Sequence, residues 1–595
     1  MKHFLIILAI LAACTHPPLR EHRTGVSETV TADEVLGHIK FLADDELEGR
    51  FPGTDGSQSA IDYIASQFKA AGIEPGGDHG YFQSFDFLKD ISLAPSNSFA
   101  VGNKNLEPET DYIPLAFSAN GELTAPVVFV GYGFDIKEDS LVWNDYEGVD
   151  VDGKWALILR GDPKAEESHS EYANYAPLRK KIMVARDHGA AGVLFVSAYQ
   201  DQFEPEELKS LQVNHRFSDS GILALQVKRT VADLLLAETG STLKALQTRI
   251  DTTEKANSLA LETAASAVIE LKRTEVPVPN VIGFIPGNDP VLKDEYIIFG
   301  AHFDHLGYGG PGSGSLVPDT VAVHNGADDN ASGVAGVIEI GERLSANRSA
   351  LRRSVLLMCY NGEEEGLLGS KYFTRNPLID LEKVSVMINM DMIGRYDEKV
   401  VVGGVGTSPD FETLLNEFNR THGLTLNMSK EGFGPSDHAS FYLEDVPVMF
   451  FFTGTHEDYH KPTDDWPKIN ADGEVNILNF IYDIALYLNQ QEEKPVFTEA
   501  GSKEEQTGRR SFKVTFGIIP SYGSSADGME IDGTKKEGPA AKAGLKKGDI
   551  IIAIDGGEIK DIYDYMYRLG ELKVGQEVTV TVLRGEETLE LKVQL

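Results

Sequence analysis

Four apolar runs in this 595-residue chain each lead to a residue that can bind a metal or move a proton. "YIIFG" runs on to His302, "SVLLMCY" stops just before Glu363 and Glu364, "VSVMINM" meets Asp391, and "VPVMFFF" precedes His460. Continuous apolar runs bounded by turns suit strands buried on both faces, as in a parallel or mixed α/β sheet. Open sheets of that kind place ligands beyond the carboxyl ends of their strands. The expected fold class is therefore α/β, a mixed and mostly parallel sheet flanked by helices, with its chemistry gathered on one edge.

The stretch "NGADDNASG", 325–333, adds two adjacent aspartates among small residues, just before a helix whose Val334, Val337 and Ile338 would face the core. Taken singly, such residues are ordinary. A His-x-Asp pair often closes a loop, a glutamate run suits a helix start, and an Asp after a strand often caps a helix. Together, His302, Asp304, Asp328, Glu363, Glu364, Asp391 and His460 would crowd imidazoles and carboxylates onto one edge. Bare acids repel there unless they take up protons or cations hold them. Two divalent ions satisfy the set, because one aspartate, here Asp328, can bridge them and leave each a mixed His and carboxylate environment suited to zinc.

The motifs "HFDH", "NGADDNASG", "NGEEEGLLGS", "NMDMIGR", "SDHASF" and "YHKPTDD" occur in this order. In that respect the chain resembles the di-zinc aminopeptidases of metallopeptidase family twenty-eight, a group that includes glutamate carboxypeptidase II and the non-enzymatic transferrin receptor. The resemblance covers most of 32–112 and 277–490. It implies His302 and Asp391 as terminal ligands of one zinc, Glu364 and His460 as those of the other, and Asp328 as the bridge. It also implies Glu363 as general base, Asp304 as the carboxylate that orients His302, and Asp464 in a similar role near His460. His305, His324 and His456 are left as loop or pocket-wall residues, and Asp437 and His438 as pocket or helix-capping residues. The implied cofactors are two Zn2+, with Mn2+ or Co2+ as substitutes, and the implied substrates are peptides. The expected activity is that of an aminopeptidase, with a carboxypeptidase or amide deacylase on the same scaffold as the alternative. A non-catalytic peptide-binding role is disfavoured because all five ligands and the base are present.

The organisation expected along the chain begins with a lipoprotein-type signal peptide, 1–14, ending in a lipobox at Leu11-Ala12-Ala13-Cys14, and a polar tether, 15–31. Peptidase segments 32–125 and 266–490 enclose an insertion, 126–265, that resembles a protease-associated domain through "GKWALILRGDP" and "GAAGVLF". An acidic linker, 491–510, leads to 511–595, which resembles a PDZ domain of the bacterial protease type through "GPAAKAGLKKGDIIIAIDG" and "FGIIP". There Gly517, Ile518 and Ile519 would donate backbone hydrogen bonds to a peptide C-terminus added as a strand. Cys14 and Cys359 are the only cysteines, so the mature chain has no internal disulfide. A net charge of -38 argues against nucleic acid and anionic membrane surfaces as partners. Contact with a membrane is expected only through a lipid on Cys14. Thr15 in place of an aspartate favours the periplasmic face of the outer membrane.

Overall fold

The computed structural model describes residues 29–501 and 514–595, except 138–140, 166–169, 214–218, 398, 521–527, 535–537, 561–563, 566–567, 570–571, 574 and 586. The expected signal peptide, Cys14 and the first part of the tether lie outside the described residues. Among those described, no helix is long and apolar enough to cross a membrane.

The four apolar runs form the centre of a nine-stranded sheet. Strands Tyr296–His302, Ser354–Tyr360, Val384–Met390 and Val448–Phe452 run parallel to their neighbours in this group. Antiparallel neighbours flank them on both sides, Leu271–Ile285 on one and Val400–Gly403 on the other. Every residue of Ser354–Tyr360 and Val384–Met390 is buried, because helices cover both faces of the sheet. Side chains alternate between those faces with the two-residue period of a strand. Val355, Leu357 and Cys359 pack with Val334, Ile338, Leu478 and Ile481 on one side. Leu356, Met358 and Tyr360 pack with Phe373 and Phe441 on the other. The fold class expected from the apolar runs is the one observed.

The inserted domain is carried on a two-stranded stalk. Phe82–Leu93 pairs antiparallel with Leu271–Ile285 along its length, with one irregularity between Thr274 and Glu275. Beyond the stalk lies an eight-stranded sheet centred on the wholly buried Trp155–Leu159 and Gly192–Val196. Its extent corrects the expected boundaries. Ser98–Val101, Lys104–Leu106 and Tyr112–Pro114 all pair within this sheet, whereas they were expected in the peptidase part. The junctions at 125/126 and 265/266 fall inside Gly121–Phe129 and Leu259–Ile269, two strands paired with each other. The three short strands lack the long apolar runs that would have marked them.

The C-terminal domain is a sheet of Ile518–Pro520, Met529–Thr534, Ile550–Ile554, Gly557–Glu558, Glu577–Arg584 and Glu587–Gln594 around its own apolar core. Part of the expected linker is not loose. Thr498 N–H donates to the Thr407 carbonyl at 2.9 Å, Gly432 N–H to the Ala500 carbonyl at 2.8 Å, and Ala500 N–H to the Tyr442 hydroxyl at 3.0 Å. Its acidic composition concealed one apolar anchor, Phe497, which packs on the cluster around Tyr442.

Candidate metal centre

All the site residues lie at the carboxyl edge of the central strands. His302 ends its strand, Asp391 directly follows Val384–Met390, and Glu363 and Glu364 occupy the turn between Ser354–Tyr360 and helix Leu368–Arg375. The aspartate pair sits in the kinked turn Ala327–Ser332 ahead of helix Gly333–Ala346. Gly326 allows that turn: its φ is +53°, and a Cβ there would lie 2.1 Å from the Asp329 carbonyl oxygen and 2.6 Å from the His305 ring.

Two sets of donor atoms converge. His302 Nε2 lies 3.4 Å from Asp329 Oδ1, 3.5 Å from Asp391 Oδ1 and 3.9 Å from Glu363 Oε2. His460 Nε2 lies 3.3 Å from Asp329 Oδ2 and 3.1 Å from Glu364 Oε2. Asp329 thus presents one oxygen to each histidine, and the expectation for Asp328 is corrected. The Asp328 carboxylate is turned away, accepting from Gly394 N–H at 2.7 Å and Ser332 Oγ at 3.1 Å, with His456 Nε2 at 3.1 Å from its other oxygen. Adjacent residues in a tight turn cannot point the same way, and the backbone sends the second aspartate into the site.

A second correction concerns Asp304. Its carboxylate lies 3.8 Å from His302 Nδ1, too far for a hydrogen bond, and the ring nitrogen faces the Asp304 carbonyl at 3.2 Å. The carboxylate instead accepts the N–H groups of Glu363 at 3.0 Å and Glu364 at 3.3 Å, and so positions their turn. Asp464 acts alike on the other loop, accepting from the N–H groups of Asp328 and Asp329, both at 3.0 Å, rather than from His460. His460 Nδ1 meets the Gly314 carbonyl at 3.0 Å.

Burial and neighbouring charges set the electrostatics of the site. Burial pushes the Glu363 carboxyl well above its usual range, with Asp437, Glu364 and Asp391 adding to it against the pull of His302. Burial resists the charging of His302, yet Glu363 and Asp391 raise it well above an ordinary imidazole. His460 is likewise opposed by burial but raised to about 11 by Asp329 and Glu364. Burial lifts Asp304 to about 6 and Asp437 to about 7. Oδ1 of Asp391 and Nε2 of His305 are buried without a hydrogen-bond partner. Orphaned buried donors and acceptors are costly and invite an occupant. Imidazole and carboxylate donors at these separations fit divalent cations of the zinc type.

These geometries agree with what the chain is similar to. Residues 280–485 match peptidase family M28, and residues 522–595 match the PDZ domain. This chain carries a family M28 peptidase domain. Leupeptin-inactivating enzyme 1 of Streptomyces exfoliatus is 31% identical to it over 185 residues, 31% of this chain and 37% of that protein. A probable lipoprotein aminopeptidase, LpqL, of Mycobacterium tuberculosis is 22% identical over 74% of this chain and 77% of its own length. An aminopeptidase of Aneurinibacillus sp. strain AM-1 overlays 81% of this chain and 98% of its own, at 22% identity and a TM-score of 0.47. The chain spans less than half the length of two curated relatives that are at least 30% identical to it.

Within the M28 domain, His305 does more than line a loop. Its Nδ1 lies 2.6 Å from Glu364 Oε1, and the residue is buried. The spacing His-x-Asp-His was the available signal. Arg50 was not singled out at all. It stands in the stretch "LEGRFPGTDG", 47–56, between two helices, wholly buried under the loops that carry His302 and Asp329. Asp437 occupies the cap position of helix His438–Leu443 but makes no capping hydrogen bond. In the PDZ domain, Gly517 N–H donates to Thr515 Oγ1 at 3.0 Å. Ile518 and Ile519 pair with Thr534 and Gly533 on one side, and their strand is the end of its sheet among the described residues.

Proposed function

We propose that this protein is a metal-dependent exopeptidase, an aminopeptidase that hydrolyses the N-terminal residue from peptides. The observation that carries the reading is Asp329, buried and shared between His302 with Asp391 and His460 with Glu364. In this reading His302, Asp329 and Asp391 hold one zinc ion, and Asp329, Glu364 and His460 the other, with Mn2+ or Co2+ as substitutes. Bound zinc supplies Lewis acidity towards a scissile carbonyl and towards water. Glu363 is the farther carboxylate from His302 and is held by the turn that Asp304 fixes. It takes the proton of the attacking water and returns it to the leaving amine. His305 keeps Glu364 turned towards His460. The inserted domain, read as a protease-associated domain, filters substrate length, and Ile518 and Ile519 receive a peptide C-terminus on the free edge of their strand. The chain is exported and anchored to the cell envelope through lipid on Cys14.

Hydrolysis of aminoacyl-nitroanilides beside their N-acetylated twins tests this. Cleavage confined to the free-amine series is expected, with Glu363→Gln lowering kcat by about 10²–10⁴ at unchanged zinc content. Cleavage of the acetylated series, or an undiminished Glu363→Gln rate, would overturn it.

A further inference from the structure

Arg50 is 1% exposed, yet no carboxylate within ion-pairing distance accounts for it among the described residues. Its guanidinium donates instead to four backbone carbonyls. Nε reaches Phe303 at 2.7 Å, Nη1 reaches Asn325 at 2.6 Å and also Leu42, and Nη2 reaches Gly326 at 3.0 Å. Phe303 lies between His302 and Asp304, and Asn325–Gly326 leads directly into the turn of Asp329. One side chain therefore ties together the two loops that face each other across the site, and ties both to the end of helix Ala32–Leu42.

The backbone is shaped to deliver it. Glu48, Gly49 and Arg50 all have positive φ. A Cβ on Gly49 would lie 2.6 Å from the carbonyl oxygens of Gly307 and His324, so only glycine lets this turn approach the site loops. Among the described residues of the peptidase body, the other buried Arg or Lys is Arg353, which pairs with Glu295 and precedes the opposite end of its strand. Burial lowers the Arg50 pKa to about 10, and Asp304, Asp329, Asp464 and Glu364 favour its charge, so it is protonated at neutral pH.

A charged group this deeply buried is costly unless its surroundings need it. A forked guanidinium that binds only neutral carbonyls remains available to balance the carboxylates behind it. We propose that Arg50 is a positioning residue for the metal centre: a fixed counter-charge that holds the His302 and Asp329 loops in place while no cation is bound. The chain then folds with its site already formed, and cations enter a prepared cradle. This inference rests on the metal reading of the site.

The test compares melting of the full chain, stripped with chelator and reloaded with zinc, for the parent, Arg50→Met and Arg50→Lys. Zinc raises the parent's Tm if the metal reading holds; no rise would sink that reading and this inference with it. In Arg50→Met the stripped form should fall much further than the loaded form, widening the gap by at least ~6 °C. Lysine keeps the charge and loses the fork, so Arg50→Lys should keep a gap near the parent's while both forms melt lower. Equal losses in stripped and loaded Arg50→Met would make Arg50 a mere packing staple and overturn the proposal. So would a gap in Arg50→Lys as wide as that of Arg50→Met. If Arg50→Met is recovered folded only from zinc-supplemented growth, the proposal stands.

Discussion

Asp328 and Asp329 are chemically identical neighbours with different duties. One presents both oxygens to histidines, while the other locks the turn to Gly394, Ser332 and His456. Asp329→Asn should therefore lose zinc from both positions, as read by metal content after dialysis. Asp328→Asn should retain zinc and cost about 1–3 kcal/mol of stability through weakened buried hydrogen bonds. Retention of zinc by Asp329→Asn together with its loss by Asp328→Asn would restore the assignment expected from the motif. Two adjacent aspartates stand out in the sequence as metal-ligand candidates because of their company. Which one bridges depends on dihedral angles that no residue identity states. Asp304 follows the same logic: its nearness to His302 in sequence was readable, its reach to the Glu363 turn was not.

Helix Leu178–Asp187 opens on a cationic run, Arg179-Lys180-Lys181, that does not say which side chain goes inside. Lys181 is fully buried, with Nζ 2.7 Å from the carbonyls of Leu159 and Gly161 and over the rings of Tyr132 and Phe134. Burial lowers its amine to about 7. Between that value and about 10.5 the unfolded chain binds the proton and the folded one does not, so stability rises with pH across this window. Asp145 beside it, lifted by burial to about 7, acts only at lower pH, where its effect is to weaken the fold as pH rises towards 7. The inserted domain should thus gain a few kcal/mol from pH 7 to pH 10, seen as a rising Tm in calorimetry. Lys181→Met should flatten that rise; a Tm that is flat in the parent would refute the buried neutral amine.

At the scale of the molecule, the PDZ domain touches both other bodies. Arg186 Nη2 of the inserted domain lies 2.6 Å from Asp564 Oδ2, the two side chains being 8% and 0% exposed, and also donates to the Glu558 carbonyl at 3.2 Å. Arg568 meets both oxygens of Asp187, and Lys547 meets Glu444 of the peptidase body. Glu444 follows the same short helix whose Tyr442 clamps the linker at Ala500. Removing one partner of a buried pair commonly costs about 3–5 kcal/mol. Arg186→Ala combined with Arg568→Ala should release the PDZ domain, with a larger radius of gyration in small-angle scattering. An unchanged radius would show that these pairs do not hold it.

The sequence by itself determined the α/β class, a peptidase segment followed by a PDZ domain, and the edge on which the candidate site residues gather. Apolar runs that end in polar residues can be buried in few ways, and the motifs along them are dense in rare combinations. The tertiary structure decided which aspartate faces both histidines, what Asp304 and Asp464 hold, and which carbonyls Arg50 joins. It also decided how much of the chain belongs to the inserted sheet. Most of these depend on side chains that meet backbone groups far away in the chain. Every residue carries the same N–H and C=O, so only the fold can say which of them meet.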